Sequence, residues 1–202
     1  MNNKVILFLN GEIPNQIPDL TTYQKIFCTD GSYNYLKKIG IQPDVICGDF
    51  DSINTTEFPS ESEIIHTPDQ NFTDFEKALH LIWQKKYLNV DVFGASGKQQ
   101  DHFLGNLNAA YKMKEKLNIK FFDNYSCYYF LNKSNTIKNV INKTISLYPF
   151  PIAKGIETEG LMYPLQREDL SLLERIGTRN KAILNEIKIT YTTGDLILFI
   201  IN

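Results

Sequence analysis

Asp49 and Asp51 stand one residue apart in Pro43-Asp44-Val45-Ile46-Cys47-Gly48-Asp49-Phe50-Asp51-Ser52, where an apolar strand runs straight into two carboxylates. Paired aspartates at the carboxyl end of a buried strand repel each other and resist ionisation unless a cation neutralises them. Oxygen donors suit a hard ion such as Mg²⁺, which usually completes its shell with phosphate oxygens. An Asp-x-Asp also serves as an ordinary Asx turn, so the neighbouring motifs decide between the two readings. Asp30 follows Ile26-Phe27-Cys28-Thr29 and precedes Gly31-Ser32, which opens a helix. Asp69-Gln70 follows Ile64-Ile65-His66, and Asp74 sits one residue after Thr73 with Lys77 a turn further on. Gly94-Ala95-Ser96-Gly97 follows Val90-Asp91-Val92-Phe93 and leads to Asp101-His102. A glycine turn brings backbone N–H groups close to phosphate oxygens, and the Lys77 ammonium complements polyphosphate charge. Singly, each has a plainer role. Asp74 suits a helix N-terminus, Asp30 and Asp101 suit N-caps, and His102 suits a cap or packing position. His66 and His80 lack a partner at ligand spacing and read as structural. Convergence of the acidic sites on one sheet edge is what favours phosphate chemistry.

The elements that present these residues alternate. Val5–Leu9, Ile26–Thr29, Val45–Cys47, Ile64–His66, Val90–Phe93 and Ile119–Phe122 read as short buried strands. Between them, Phe72, Phe75, Ala78, Leu79, Ile82 and Trp83 share one helical face, and Thr73 with Glu76 forms a capping box. A second helix is expected from Asp101 to Lys116, with Phe103, Leu104, Leu107, Ala110 and Tyr111 inward. This alternation predicts an α/β unit, a Rossmann-like and mostly parallel sheet flanked by helices. After Asp123 the segments Tyr128–Leu131, Thr136–Val140, Thr144–Tyr148, Lys188–Tyr191 and Leu196–Ile201 are β-branched and aromatic, with turn signals between them. A helical turn is expected around Leu170–Arg175. The rest predicts an antiparallel β-sandwich, with domains 1–124 and 125–202.

The 202 residues bury a sizeable core. The balance of 21 basic and 23 acidic residues argues against nucleic acid or an anionic membrane as partner. The five apolar residues Val5–Leu9 are too few for a signal-peptide core or a membrane span. Cys28, Cys47 and Cys127 lie in or beside apolar runs without metal-like spacing, as reduced core residues of a cytoplasmic protein do. Tyr128, Tyr129, Phe130, Tyr148, Phe150 and Tyr163 exceed what one small core needs, so part of that surface is expected to meet a second copy of the chain.

The order of these motifs resembles the thiamin pyrophosphokinases over essentially the whole chain. Asp30-Gly31-Ser32 resembles that family's Asp-Gly-Gly/Ala step, and Pro43-Asp44 through Gly48-Asp49-Phe50-Asp51-Ser52 its most diagnostic stretch. Asp69-Gln70 through Thr73-Asp74-Phe75-Glu76-Lys77-Ala78-Leu79 resembles its Thr-Asp-x-x-Lys-Ala-Leu segment. Gly94-Ala95-Ser96-Gly97 through Asp101-His102 and Asn106-Leu107 is similar to its Gly-Gly-Arg-x-Asp-His region. Ser146-Leu147-Tyr148-Pro149-Phe150 and Gly160-Leu161-Met162-Tyr163-Pro164-Leu165 resemble its β-domain signatures, and Thr178-Arg179-Asn180 stands where Ser-Asn is usual. Two departures are Lys98-Gln99 in place of Gly-Arg, and Arg179 in place of a small serine.

The resemblance implies transfer of a pyrophosphoryl group from ATP to the hydroxyl of thiamin, with Mg²⁺ as cofactor, giving thiamin diphosphate and AMP. It implies Asp49, Asp51, Asp74 and Asp30 as metal ligands, the first three being catalytic. Asp30, Gln70, Thr73, Lys77, Gly97 and Lys98 would bind ATP, with Lys98 standing in for the absent arginine. Asp101, His102, Thr178 and Asn180 would bind thiamin. It further implies an ATP/Mg-binding catalytic domain followed by a thiamin-binding and dimerisation domain, in a homodimer with composite sites. Another Mg²⁺-dependent phosphoryl or sugar-nucleotide transferase using the Asp-x-Asp pair alone, or a nucleotide-sensing module, are the alternative readings.

Overall fold

Strands rich in Val, Ile and Phe, separated by helical stretches, assemble the first part of the chain into a parallel sheet. The computed structural model describes residues 3–51 and 58–201, so Ser52 lies outside the described residues. The chain divides into two units, Met1–Asn124 and Tyr125–Asn202. The first holds strands β1 (Lys4–Phe8), β2 (Ile26–Thr29), β3 (Val45–Gly48), β4 (Glu63–His66), β5 (Asn89–Phe93) and β6 (Asn118–Phe122). Its helices are α1 (Asp30–Lys38), α2 (Asp74–Gln84) and α3 (Gln100–Met113). The sheet order is β4-β3-β2-β1-β5-β6, and every pairing is parallel. The order reverses at β1, so the loops leaving β1 and β5 open where the sheet changes direction, the usual ligand crevice of such folds.

Side-chain alternation assigns the helices to faces. Phe8, Phe93 and Phe122 are register neighbours and stack across β1, β5 and β6; they share a core with Tyr33, Tyr35 and Leu36 of α1. One residue earlier, Leu7, Val92 and Phe121 face the opposite way, and there Phe75 of α2 meets Phe121 with ring centres 5.8 Å apart. Helices therefore cover both faces.

Three sequence expectations need correction in this unit. β4 was expected to be buried, but it is the edge strand and is largely exposed. Phe72 and Trp83, expected on the inward face of α2, are 45% and 40% exposed. They lie before the helix and in its last turn, where the sheet no longer covers them. α3 begins at Gln100 and ends at Met113, and it buries Leu107, Ala109, Ala110 and Met113, whereas Leu104 is 64% exposed. At helical spacing Leu104 falls opposite Met113, on the face that α3 turns away from its buried residues.

The second unit contains β7 (Ser126–Phe130), β8 (Ser134–Lys138), β9 (Thr144–Glu159), β10 (Gln166–Ser171), β11 (Gly177–Lys181), β12 (Glu186–Thr190) and β13 (Thr193–Ile201). Its organising feature is the 16-residue β9, which the sequence reading ended at Tyr148. The first part of β9 lies between β11 and β13, with β7 beyond β13; its last part lies between β10 and β12, with β8 beyond β12. Ile145, Leu147 and Leu198 from the first ladder join Ile156, Leu170 and Ile187 from the second in one apolar core. Two antiparallel ladders sharing a strand thus close on a common interior. The helical turn expected at Leu170–Arg175 is instead the end of β10 and a tight turn closed by Ser171 N–H to the Arg175 carbonyl at 2.9 Å. Among the described residues no helix is long and apolar enough to cross a membrane.

Candidate active site

The carboxyl ends of β2 and β3 bring three aspartates together. One carboxylate oxygen from each of Asp30, Asp49 and Asp51 lies within 4.8 Å of the others. Asp30, the first residue of α1, is buried; its carboxylate accepts from the Gly31 N–H at 2.6 Å and the Phe50 N–H at 2.9 Å. It is not the N-cap, a position taken by Thr29, because its side chain turns toward β3. Burial pushes the Asp30 carboxyl above the usual aspartate range, and the nearby charges of Asp74 and Asp49 add to this against the two N–H bonds. Gly48 makes the approach possible: a Cβ there would meet the Asp30 Cγ at 2.5 Å. Asp49 behaves oppositely. Gln70 donates to its carboxylate at 2.9 Å and the Asp51 N–H at 3.2 Å, which together hold it below the usual range. Between them Phe50 adopts a left-handed backbone, φ 66°, which costs a bulky residue about 1–3 kcal/mol.

The next loop presents the cationic side. Asp69 accepts from the Asn71 backbone and side-chain N–H groups at 2.9 and 2.8 Å, and this turn points Gln70 at Asp49. Thr73 caps α2 by accepting from the Glu76 N–H at 3.2 Å. The expected return half of the capping box is missing, because the Glu76 carboxylate pairs with Lys112 at 3.0 Å. Lys77, almost wholly buried, donates to Asp74 and to the Thr67 carbonyl, each at 2.8 Å. Asp74 is therefore ion-paired and lies outside the close group of three.

These residues line a cleft of about 580 Å³ that contains Asp30, Asp49, Gln70, Thr73, Asp74 and Lys77 on one side. Lys98, Asp101 and His102 line the same cleft from α3 and the loop before it. Asp101 is the second residue of α3, after the cap Gln99, and it accepts from the His102 N–H at 2.9 Å. Gly97, left-handed with φ 90°, packs against Glu12 and sets the turn that carries Lys98. Lys98 Nζ donates to the Asn10 side chain at 3.2 Å. Asn10 and Gly11 are site residues that the motif reading missed. The Gly11 N–H donates to the Gly94 carbonyl at 2.7 Å, and a Cβ on Gly11 would meet that oxygen at 2.2 Å. The signal was available as Asn-Gly directly after the first strand. Asn106, which also lines the cleft, donates to the Ala95 carbonyl at 2.9 Å and so ties α3 to the glycine turn.

The donor set suits a hard divalent cation: three carboxylates, no thiol, and a cationic rim for phosphate. Cys28 and Cys47 lie close by in β2 and β3 but are buried, and burial pushes the Cys47 thiol up to about 12, leaving both inert.

Residues 20–122 match the family model for the thiamin pyrophosphokinase catalytic domain, and residues 134–196 match that for the thiamin pyrophosphokinase vitamin B1 binding domain. The chain belongs to the thiamin pyrophosphokinase family. It is 28% identical to a thiamine pyrophosphokinase of Bacillus subtilis over 96% of this chain and 97% of the relative. It is 26% identical to Thiamin pyrophosphokinase 1 of Caenorhabditis elegans over 91% of this chain and 83% of the relative. A crystal structure of the thiamine pyrophosphokinase from Bacillus subtilis superposes with a TM-score of 0.84 at 26% identity, covering 98% of this chain and 99% of that one. The thiamin pyrophosphokinase of Candida albicans shares the fold, with a TM-score of 0.87 over 99% of this chain and 89% of its own. The chain is accordingly an enzyme of the thiamin pyrophosphokinase type.

Within the vitamin B1 binding match, Thr178 and Asn180 lie on β11. Asn180 fastens the Tyr163 backbone, donating to its carbonyl at 2.7 Å and accepting its N–H at 3.1 Å. Thr178 is exposed. Arg179, the departure from the family pattern, sits at a bulge with φ 58°, its N–H donating to Ser146 Oγ at 2.9 Å.

Proposed function

We propose that this enzyme transfers the pyrophosphoryl group of ATP to the hydroxyl of thiamin through the acidic cleft of its first unit, with Mg²⁺ as cofactor. The observation that carries this reading is the meeting of Asp30, Asp49 and Asp51 within 4.8 Å beside the Lys77 rim. Those three carboxylates would hold the ion, with Asp74 close by. Bound there, Mg²⁺ would neutralise polyphosphate charge and stabilise the charge developing as AMP departs. Gln70 orients Asp49, while Thr73 and the N-terminus of α2 offer donors for phosphate oxygens. Lys77 neutralises phosphate charge from the buried side. Gly97 and Lys98 close the nucleotide side from the opposite wall. An aspartate next to the thiamin hydroxyl accepts its proton, although positioning supplies most of the acceleration in such transfers.

Asp101 and His102, with Thr178 and Asn180 of a second subunit, would bind thiamin in a homodimer. Supporting a second copy, the second unit exposes Leu173 (95%), Tyr163 (68%), Leu184 (55%) and Ile183 (49%). The aromatic surplus contributes less than expected, since Tyr128 is 1% exposed and belongs to the core. Free cysteines and the use of ATP favour a cytoplasmic setting.

Incubation with ATP, Mg²⁺ and thiamin, with every product identified by mass, tests the reading. Thiamin diphosphate and AMP in equal amounts are expected. ADP with thiamin monophosphate, or ATP binding without turnover, overturns it.

A further inference from the structure

Phe50 stands between two candidate metal ligands in a conformation that bulky residues avoid, φ 66°. A strained residue persists only where its surroundings hold it, so the contacts of Phe50 show what the strain accomplishes. Its ring stacks on His66 with centres 5.8 Å apart and planes 25° apart. On another side it meets Phe58 nearly edge-on at 5.7 Å, and Phe58 in turn lies 5.9 Å from Tyr33 of α1. Tyr33 is buried in the α1 core, so the ring of Phe50 is braced between the sheet edge at β4 and the helix that begins with Asp30. The backbone of the same residue donates its N–H to Asp30 at 2.9 Å. With this left-handed residue between them, Asp49 and Asp51 each bring a carboxylate oxygen within 4.8 Å of one from Asp30. In an extended conformation, side chains on either side of one residue would share a face but lie further along the strand, and the Phe50 N–H would leave Asp30.

We propose that Phe50 is a positioning residue, and that the brace His66–Phe50–Phe58 fixes the spacing of the three carboxylates before any cation arrives. This rests on the proposed cation role of those aspartates. The brace touches neither substrate nor cation; it removes the conformational freedom that the loop would otherwise lose on binding one. His66, read from the sequence as merely structural, thereby becomes the outer member of the site.

The test measures cation binding directly, with Mn²⁺ as a paramagnetic stand-in for Mg²⁺ and free Mn²⁺ followed by electron paramagnetic resonance, without nucleotide or thiamin. His66→Ala removes an exposed stacking partner from an edge strand, so the fold tolerates it. We expect His66→Ala to weaken Mn²⁺ binding about three- to tenfold and His66→Phe, which keeps a ring, to restore it. Phe50→Gly permits the left-handed backbone but removes the ring, and is expected to weaken binding by about tenfold or more. In turnover assays His66→Ala and Phe50→Gly should raise the Mg²⁺ concentration for half-activation, and His66→Phe should not, while the KM for thiamin stays within about twofold in all three. Parent-like Mn²⁺ binding by His66→Ala and Phe50→Gly overturns the proposal. So does a loss in His66→Phe equal to that in His66→Ala. If the parent chain itself binds no Mn²⁺, or binds it equally after Asp49→Asn, the underlying cation assignment fails instead.

Discussion

Gly48→Ala isolates the geometry on which the acidic cluster depends. The new methyl carbon would lie 2.5 Å from Asp30 Cγ and 2.8 Å from its Cβ and Oδ2. Ordinary contact is about 0.9 Å farther than the closest of these approaches, so something must move. β3 cannot yield, because it is hydrogen-bonded to β2 on one side and β4 on the other, with Gly48 itself in register with His66. Asp30 must therefore yield, its Cγ and Oδ2 by rotation of the side chain and its Cβ, met at 2.8 Å, by a shift of the first turn of α1. A displacement of about 0.9 Å carries the 2.9 Å bond from Phe50 beyond hydrogen-bond range, and the 2.6 Å bond from Gly31 close to its limit. Bonds to a charged group contribute roughly 1.5–3 kcal/mol each, and overpacking costs about 1–3 kcal/mol, so a net loss of about 2–4 kcal/mol is expected. In a chain of this size that lowers the melting temperature by about 4–16 °C. Misplacing a cation ligand by about 1 Å should reduce turnover about 100-fold. AMP release against Mg²⁺ concentration and melting followed by circular dichroism read the two effects separately. Gly48→Ala combined with Asp30→Ala removes the colliding carboxyl, so the pair should melt higher than Gly48→Ala alone while remaining inactive. A Gly48→Ala enzyme with parental melting and turnover would refute the reasoning, as would a double variant no more stable than the single one.

Asp49→Asn and Asp51→Asn should each lower turnover by orders of magnitude at saturating Mg²⁺; without Mg²⁺, Asp51→Asn should melt unchanged or slightly higher because it removes like-charge repulsion, whereas Asp49→Asn should melt slightly lower because it loses a carboxylate that its hydrogen bonds favour in the ionised form; near-normal AMP release from both would sink the metal assignment. Lys98→Ala should raise the apparent KM for ATP or thiamin more than it lowers kcat, and Asn10→Ala, which removes the acceptor at 3.2 Å, should move the same constant in the same direction by a smaller factor. Burial raises Asp30 in the folded state, so its contribution to stability is complete below about pH 3.9 and is lost as pH rises through its raised value. In Mg²⁺-free melts from pH 3 to 7, Asp30→Asn should therefore gain on the parent as pH rises, and a constant difference would contradict this. Light scattering at micromolar concentration should report a dimer, and mixing Asp49→Asn chains with Asn180→Ala chains should restore part of the activity; a fully active monomer would exclude composite sites.

Much of the site was legible because its chemistry is local in sequence. Asp49 and Asp51 follow an apolar strand, and Thr73 caps a helix whose apolar spacing is evident, so the chain order alone placed them at loop positions. What the spacing could not reveal is competition for partners. Glu76 completes a capping box on paper, yet Lys112 from α3 takes its carboxylate. Asp74 reads as a fourth metal ligand, and spacing could not show that its carboxylate also pairs with the nearly buried Lys77 at 2.8 Å. Asn10 was overlooked because its relevance comes from Lys98, which is remote in sequence and meets it only across the sheet's reversal at β1.

The sequence by itself determined the strand-and-helix order of the first half, the strands of the second, and that aspartates follow the strands of the first, because hydrophobic period and residue type act over a few neighbours. Tertiary structure alone decided which side chains those patterns bury. Ile64 is strand-like in composition but sits on an edge strand, and Phe72 is apolar but projects into the cleft region. The length of β9, which serves two ladders, and the rings that brace Phe50, from β4 and from the segment before it, likewise depend on how separate segments meet in the fold. Burial and strain are properties of where segments meet, and no window of neighbouring residues contains that information.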